Sequence, residues 1–182
     1  NEEGQLMRVE FSPPDITDAE CQEVEAALRS GWITTGPRTK SLEKQVAERC
    51  DTPRAACLNS ATASLELTLR VLGIGPGDEV IIPAYTYTAS ASPVVHVGAT
   101  PVLVDAGQAD GGYGLDPDVL AEALTPRTKA VIPVDIGGRM CDYTALREVV
   151  DSQRHLFAPT GPIQEALGRV ALVADGAHSF GA

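Results

Sequence analysis

No apolar run in this 182-residue chain approaches the roughly 18–20 residues needed to cross a bilayer, so no membrane-spanning helix is expected. Residues 1–10 also lack the basic and then apolar pattern of a secretory signal, which makes a cytoplasmic protein the expectation. Basic side chains are few: 14 Lys and Arg stand against 25 Asp and Glu, a net charge of −11. Such a field repels a phosphate backbone, so nucleic acid is set aside as a partner. The four cysteines, Cys21, Cys50, Cys57 and Cys141, form no Cys-x-x-Cys pair. That spacing suggests neither a zinc site nor a disulfide framework, and reduced thiols are expected. A P-loop, a Gly-x-Ser-x-Gly elbow and a His-Glu-x-x-His helix are absent as well. The run from Gly73 to Gly77 has the look of a dinucleotide loop, but it lacks the third glycine spacing and precedes a strand instead of following one.

What is present is a regular alternation of short apolar runs and amphipathic stretches, in a composition that is 43% hydrophobic and 21% charged. Disorder is excluded as the main reading, and the alternation is that of βα units building a mostly parallel sheet with helices on both faces. Strands are predicted at residues 55–58, 79–82, 100–105, 130–134 and 170–175, several of them apolar without alternation, as burial on both faces requires. The first helix is expected to begin near Thr17, with Glu20 at capping-box spacing, to carry Cys21, Val24 and Leu28 on one face and to stop at Gly31. A second takes Leu42, Val46 and Cys50; a third follows Asn59 with Leu65, Leu69 and Leu72; Asp116 with Pro117, and Asp142, are expected to open two more. Residues 151–169 are long for an αβ connection and read as an insertion on the rim, with a short helix opened by Thr160 and Pro162. No composition shift marks a boundary, so residues 1–182 read as one α/β unit. The chain stops seven residues after Asp175, which suggests a sheet that continues further.

In open α/β sheets ligands gather beyond the carboxyl ends of the strands. Asp105, Asp135 and Asp175 all fall at or near such ends. A carboxylate after so apolar a strand as Val170–Ala174 needs a cationic or hydrogen-bonding partner to stay ionised; a protonated ring nitrogen of a ligand, a set of backbone amides or an Arg would each serve. His178 is equally consistent with a structural histidine or with a metal-ligand pair formed with Asp175. Between Cys57 and Ser64 a strand turns into a helix through small and hydroxylated residues. The amides there, with Ser60, Thr62 or Ser64, suit a phosphate, although Asn59 or Ser60 acting only as the N-cap is the plainer reading. Tyr85 and Tyr87 leave a strand where an aromatic ring can stack on a planar ligand or pack beneath its own loop. Trp32 lies in a 31–37 loop too elaborate for a plain turn.

Taken in order, Phe11-Ser12-Pro13-Pro14, Gly31-Trp32-Ile33-Thr34-Thr35-Gly36-Pro37, Asn59-Ser60-Ala61-Thr62-Ala63, Gly73-Ile74-Gly75-Pro76-Gly77-Asp78-Glu79-Val80, Gly98-Ala99-Thr100-Pro101-Val102, Thr125-Pro126-Arg127-Thr128-Lys129-Ala130 and Asp175-Gly176-Ala177-His178-Ser179-Phe180-Gly181-Ala182 resemble the DegT/StrS family of nucleotide-sugar aminotransferases. The resemblance implies the large domain of a fold type I enzyme that uses pyridoxal 5′-phosphate (PLP), cut short before its catalytic lysine and small domain. It implies that Ser60, Ala61 and Thr62 hold the cofactor phosphate, that Tyr87 stacks on the ring, that Asp175 pairs with the ring nitrogen and that His178 lies beside the phenolic oxygen. Asp175 and His178 are thus the expected catalytic side chains, and Thr34 and Thr35 the expected substrate contacts. Ala61 stands where Gly is also usual, and Asp135 where many relatives have His. The family's Schiff-base lysine follows the Asp-x-x-His segment, and Lys40, Lys44 and Lys129 do not match it. The implied partners are an amino-acid donor, glutamate first, a nucleotide-linked keto sugar and a second copy of the chain; no metal is implied. A sugar dehydratase on the same scaffold and a non-catalytic α/β binding module are the alternatives, and a metal hydrolase using Asp105, Asp135, Asp175 and His178 ranks below them.

Overall fold

Sequence-local signals place most of the helices. In the computed structural model, which describes residues 13–107 and 113–181, Thr17 caps helix α1 (Asp18–Arg29) and the Glu20 side chain returns to the Thr17 amide, completing the capping box. Helix α2 (Pro37–Arg49) opens with Pro at its first position. Phe11, Ser12 and Ala182 of the family segments lie outside the described residues.

The chain divides into two compact units, Asn1–Cys57 and Leu58–Ala182. The first contains α1, α2 and the loop between them. In that loop the Trp32 indole N–H donates to the Thr35 carbonyl at 3.2 Å, and a Cβ on Gly36 would overlap the indole ring, so only Gly fits against it. The apolar stripe of α1 is present but uncovered, with Val24 and Leu28 62% and 64% exposed. Residues 55–58 do not form the predicted strand. Two alanines favour a strand little, and the Cys57 amide donates to the Glu43 carboxylate instead of to a neighbouring strand.

The second unit holds the sheet. Its helices and strands run α3 (Ala61–Val71), β1 (Glu79–Pro83), α4 (Ser92–His96), β2 (Thr100–Val104), α5 (Pro117–Ala123), β3 (Thr128–Val131), α6 (Tyr143–Ser152), α7 (Pro162–Leu167) and β4 (Ala171–Leu172). All strand pairs are parallel, in the order β2-β1-β3-β4. The period-2 alternation of strand side chains sorts the core into two layers. Val80, Ile82, Ala130 and Ile132 pack with Leu65 and Leu69 of α3 and Val94 of α4, while Ile81 and Val131 pack with Leu120 of α5 and Leu146 and Val150 of α6. Helices therefore cover both faces. Each fully buried Leu or Ile contributes about 1.5–3 kcal/mol.

β1 and β3 are buried along their whole length, with Glu79, Thr128 and Lys129 buried against polar partners beside the apolar residues, but β2 is not: it is an edge strand, and Leu103 is 62% exposed. Regular pairing in β3 ends at Val131 because Pro133 has no N–H to give, yet the ladder resumes where Asp175 donates to the Pro133 carbonyl and Asp135 donates to the Asp175 carbonyl. Asp116 and Asp142 cap α5 and α6. Gly161, and not Thr160, is the N-cap of α7; the Thr160 hydroxyl and amide are drawn instead to the Gln164 side chain. The 151–169 segment is tied down by polar contacts. Lys129 Nζ donates to the Ala158 carbonyl, and Gln164 donates to the Leu72 carbonyl. No helix among the described residues is long and apolar enough to cross a membrane. Cys21, Cys50 and Cys57 are exposed free thiols and Cys141 a buried one.

Candidate active site

The strand order carries the chain from β1 to β2 on one side and to β3 on the other, and such a switch leaves a crevice at the carboxyl ends of the two central strands. A cleft of about 310 Å³ lies there. Its walls come from the N-terminal part of α3 (Ala61, Thr62, Leu65), the loop after β1 (Thr86, Tyr87, Ala89, Ser90), the segment after β3 (Val134, Asp135, Ile136) and the turn after β4 (Asp175, Ala177, His178). Of the residues singled out in the sequence, Ala61, Thr62, Tyr87, Asp175 and His178 are brought together at this one place.

At one end of the cleft stands the N-terminus of α3. Ser60 is its N-cap, and its Oγ accepts the Ala63 amide at 3.1 Å. The amides of Ala61 and Thr62 precede the helical ladder and carry the positive end of the helix dipole. Ser60 fills the capping role as an acceptor, which leaves its O–H to donate, and the groups that suit an anion at this end are that hydroxyl, the two amides and the Thr62 side chain.

At the other end lies Asp175, half-buried. Its Oδ2 accepts the Ser90 hydroxyl at 2.8 Å, and its Oδ1 is 3.4 Å from the Ala177 amide. Ser90 is only 1% exposed and is itself braced by Thr86 Oγ1 at 2.8 Å. Among the described residues neither Arg nor Lys lines the cleft, so Asp175 meets hydroxyl and amide donors and no protein cation. Tyr87 is 78% exposed at the mouth, whereas Tyr85 turns aside to pack on Tyr113, ring centroids 4.7 Å apart. His178 is exposed, and its Nδ1 accepts the Gly137 amide at 3.1 Å. That contact leaves the neutral ring's proton on Nε2. The two chain segments approach so closely that a Cβ on Gly138, which sits at φ +80°, would come within 3.0 Å of the His178 carbonyl oxygen.

Asp135 is 2% exposed and accepts hydrogen bonds from the Cys141 amide, the Tyr143 hydroxyl and the Ser179 hydroxyl at 2.9, 2.8 and 2.6 Å. Burial, followed by this hydrogen bond to Asp135, drives the Tyr143 phenol well above its usual range. Burial likewise pushes the Cys141 thiol up, with the Asp135 charge adding to it. Asp105 is exposed at the end of β2 and does not line the cleft. Among the described residues no three His, Cys, Asp or Glu side chains are grouped to hold a metal ion. Thr34 and Thr35 lie in the loop of the N-terminal unit, and Lys40 and Lys44 on its α2. Lys129 is buried near the start of β3, at the amino end of the strands and away from the cleft.

The sequence reading missed Ser90, Thr86 and Ser179. Ser90 comes three residues past Tyr87, and the demand for a donor to Asp175 was its only signal.

Residues 14–157 match the model of the DegT/DnrJ/EryC1/StrS aminotransferase family. The spore coat polysaccharide biosynthesis protein SpsC of Bacillus subtilis (strain 168) is 43% identical over 142 residues, covering 78% of this chain and 36% of SpsC. Among solved structures, the PLP form of Spr1654 from Streptococcus pneumoniae, named as a sugar aminotransferase, is 54% identical with a TM-score of 0.92, covering 96% of this chain and 44% of that one. DesV from S. venezuelae, determined in complex with a ketimine intermediate, is 38% identical with a TM-score of 0.74, covering 89% of this chain and 40% of its own. The chain thus spans about two fifths of the length of these relatives.

Proposed function

The chain belongs to the DegT/DnrJ/EryC1/StrS aminotransferase family, and from that premise we propose that its cleft holds PLP in a protein that moves an amino group from an amino acid, glutamate first, to the keto group of a nucleotide-linked sugar. One observation carries the cofactor reading. A single cleft offers free helix-start amides at one end and, at the other, a carboxylate held by a buried hydroxyl with no Arg or Lys among the described residues that line the cleft. Those are the complements of a phosphate and of a protonated ring nitrogen, and the volume is at the lower bound for small-ligand sites, about 300 Å³. Bound there, PLP supplies an electron sink for a carbanion next to nitrogen.

The residues divide the work. The Ala61 and Thr62 amides, with the Ser60 and Thr62 hydroxyls, hold the phosphate, and Ser60 also keeps that helix start in place by accepting the Ala63 amide. Tyr87 covers one face of the ring and excludes water from it. Asp175 holds a proton on the ring nitrogen, since an adjacent carboxylate favours the charged form. Ser90 fixes the direction of that carboxylate. His178, with its proton on Nε2, donates toward the phenolic oxygen. Thr34 and Thr35 contact the substrate, a second copy of the chain completes a homodimer, residues 151–169 form an insertion in the large domain, and the protein works in the cytoplasm.

The relatives' names support the sugar as amino acceptor: SpsC belongs to polysaccharide biosynthesis and Spr1654 is named as a sugar aminotransferase. The test of the reaction is the glutamate half-reaction. The intact, PLP-loaded protein releases 2-oxoglutarate in proportion to bound cofactor; cofactor-loaded protein that releases none removes glutamate as donor or transamination as the reaction.

A further inference from the structure

Asp135 is the most buried acid at the cleft, and none of the steps above uses it. Its three donors come from two places: the Cys141 amide and Tyr143 hydroxyl belong to the start of α6, and the Ser179 hydroxyl belongs to the turn after β4. A carboxylate is the side chain suited to that position, because it only accepts and offers enough lone pairs for all three. The same turn is tied to residues 135–137 by main-chain groups as well. The Asp135 amide donates to the Asp175 carbonyl at 3.1 Å, and the Gly137 amide to His178 Nδ1 at 3.1 Å. Within the turn, Ser179 N–H closes on the Gly176 carbonyl at 3.1 Å. Among the described residues Ser179 is therefore the side chain through which Asp135 grips the far end of the turn that carries both Asp175 and His178.

We propose that Asp135 is a positioning residue: through the Ser179 hydroxyl its carboxylate locks the 175–179 turn and so sets the directions in which Asp175 and His178 face the cleft. The importance of those directions rests on the cofactor reading above; the lock itself does not. A charge-assisted hydrogen bond of 2.6 Å between a serine and a buried carboxylate is among the stronger kinds. Its loss frees the far end of a turn that is otherwise held, among the described residues, by main-chain contacts, the His178 imidazole and the Ser90 bond to Asp175.

The test uses the intact protein with Ser179→Ala, Ser179→Thr and Asp135→Asn, and with Val150→Ala as a variant destabilised in the core of α6 away from the lock. Amide hydrogen exchange at Ala177 and His178, read without cofactor, is expected to quicken about tenfold in Ser179→Ala, the loss set by one hydrogen bond to a charged group. It is expected to return to the parent rate in Ser179→Thr, which restores the hydroxyl, and to stay near it in Val150→Ala. PLP affinity follows the same pattern, falling about tenfold only where exchange quickens. Adding Asp135→Asn to Ser179→Ala brings no further loss in the turn. Unchanged exchange in Ser179→Ala overturns the proposal, and so does equal quickening in Val150→Ala, which would make the effect one of general stability. If the parent binds no PLP, the cofactor reading fails, and the exchange data still decide the lock.

Discussion

Replacing Ser90 with Ala removes a single oxygen from the middle of the cleft wall and tests how Asp175 is held. That oxygen makes two contacts of 2.8 Å, one donated to Asp175 Oδ2 and one shared with Thr86 Oγ1. A hydrogen bond to a charged acceptor is worth about 1.5–3 kcal/mol and a neutral one about 0.5–1.5. Ser90 is buried, but Asp175 borders an open cleft, so water takes back part of the first loss in the free protein. The combined destabilisation is then about 2 kcal/mol, which lowers the melting temperature of a chain this size by about 4–8 °C. With PLP in place water is excluded, and Asp175 must face the ring nitrogen without its brace. Affinity is expected to fall about tenfold, or 1.4 kcal/mol. Thermal unfolding followed by circular dichroism reads the first figure and a fluorescence titration with PLP the second. A variant that melts several degrees lower but binds PLP within twofold of the parent would refute the reasoning, leaving Ser90 a packing residue.

Other perturbations test the fold around the site. Leu69→Ala empties a fully buried position between α3 and the sheet, and should cost about 2–5 kcal/mol in a denaturant titration; a loss under 1 kcal/mol would contradict the packing. Burial alone would raise the Glu79 carboxyl, but hydrogen bonds from Thr125 and Arg127, with the Arg127 charge, outweigh it and hold the group below its ordinary range. A lowered folded value means stability that is present above the unfolded value of 4.5 and lost as pH falls through the folded one. The melting temperature of the parent should therefore drop more steeply than that of Glu79→Gln below about pH 5, and parallel curves would refute the assignment. Tyr143 has the opposite sign: the folded state grips its proton, so its contribution is intact below an ordinary value of 10.0 and is lost as pH rises above it. Absorbance titration of the phenols should show Tyr143 silent until the protein unfolds in alkali, and ionisation alongside the exposed tyrosines would refute its bond to Asp135.

Local chemistry was the legible part of the sequence. Thr17 with Glu20, Asp116 with Pro117, and Asp142 each announce a helix start through groups a few residues apart, and the chain uses all three. The apolar runs Val80, Ile81, Ile82 and Ala130, Val131, Ile132 likewise report burial on both faces, although β3 itself begins with the polar pair Thr128 and Lys129. Residues 55–58 misled because an apolar run reports a wish for burial and not the presence of a strand to pair with. The α1 stripe was legible as a face and no more, since a period of 3.6 predicts an apolar face and says nothing of what covers it. In the cleft, Asp175 was legible from its place after an apolar strand, whereas Ser90, 85 residues away, was not. A serine has no pattern that tells a brace from a solvent-facing hydroxyl. The partners of Asp135 escaped for the same reason: Ser179 meets it from 44 residues away, in the turn after β4.

The central claim, that this cleft is a PLP seat with Asp175 at its cation end, is met most directly by titrating the protein and its Asp175→Ala variant with PLP and following both bound cofactor and stoichiometry. The account predicts one PLP per chain in the parent and a loss of affinity of about a hundredfold or more in the variant, the cost of leaving a buried cation without its partner. Equal affinity in the two proteins, or no saturable binding in the parent, would contradict it.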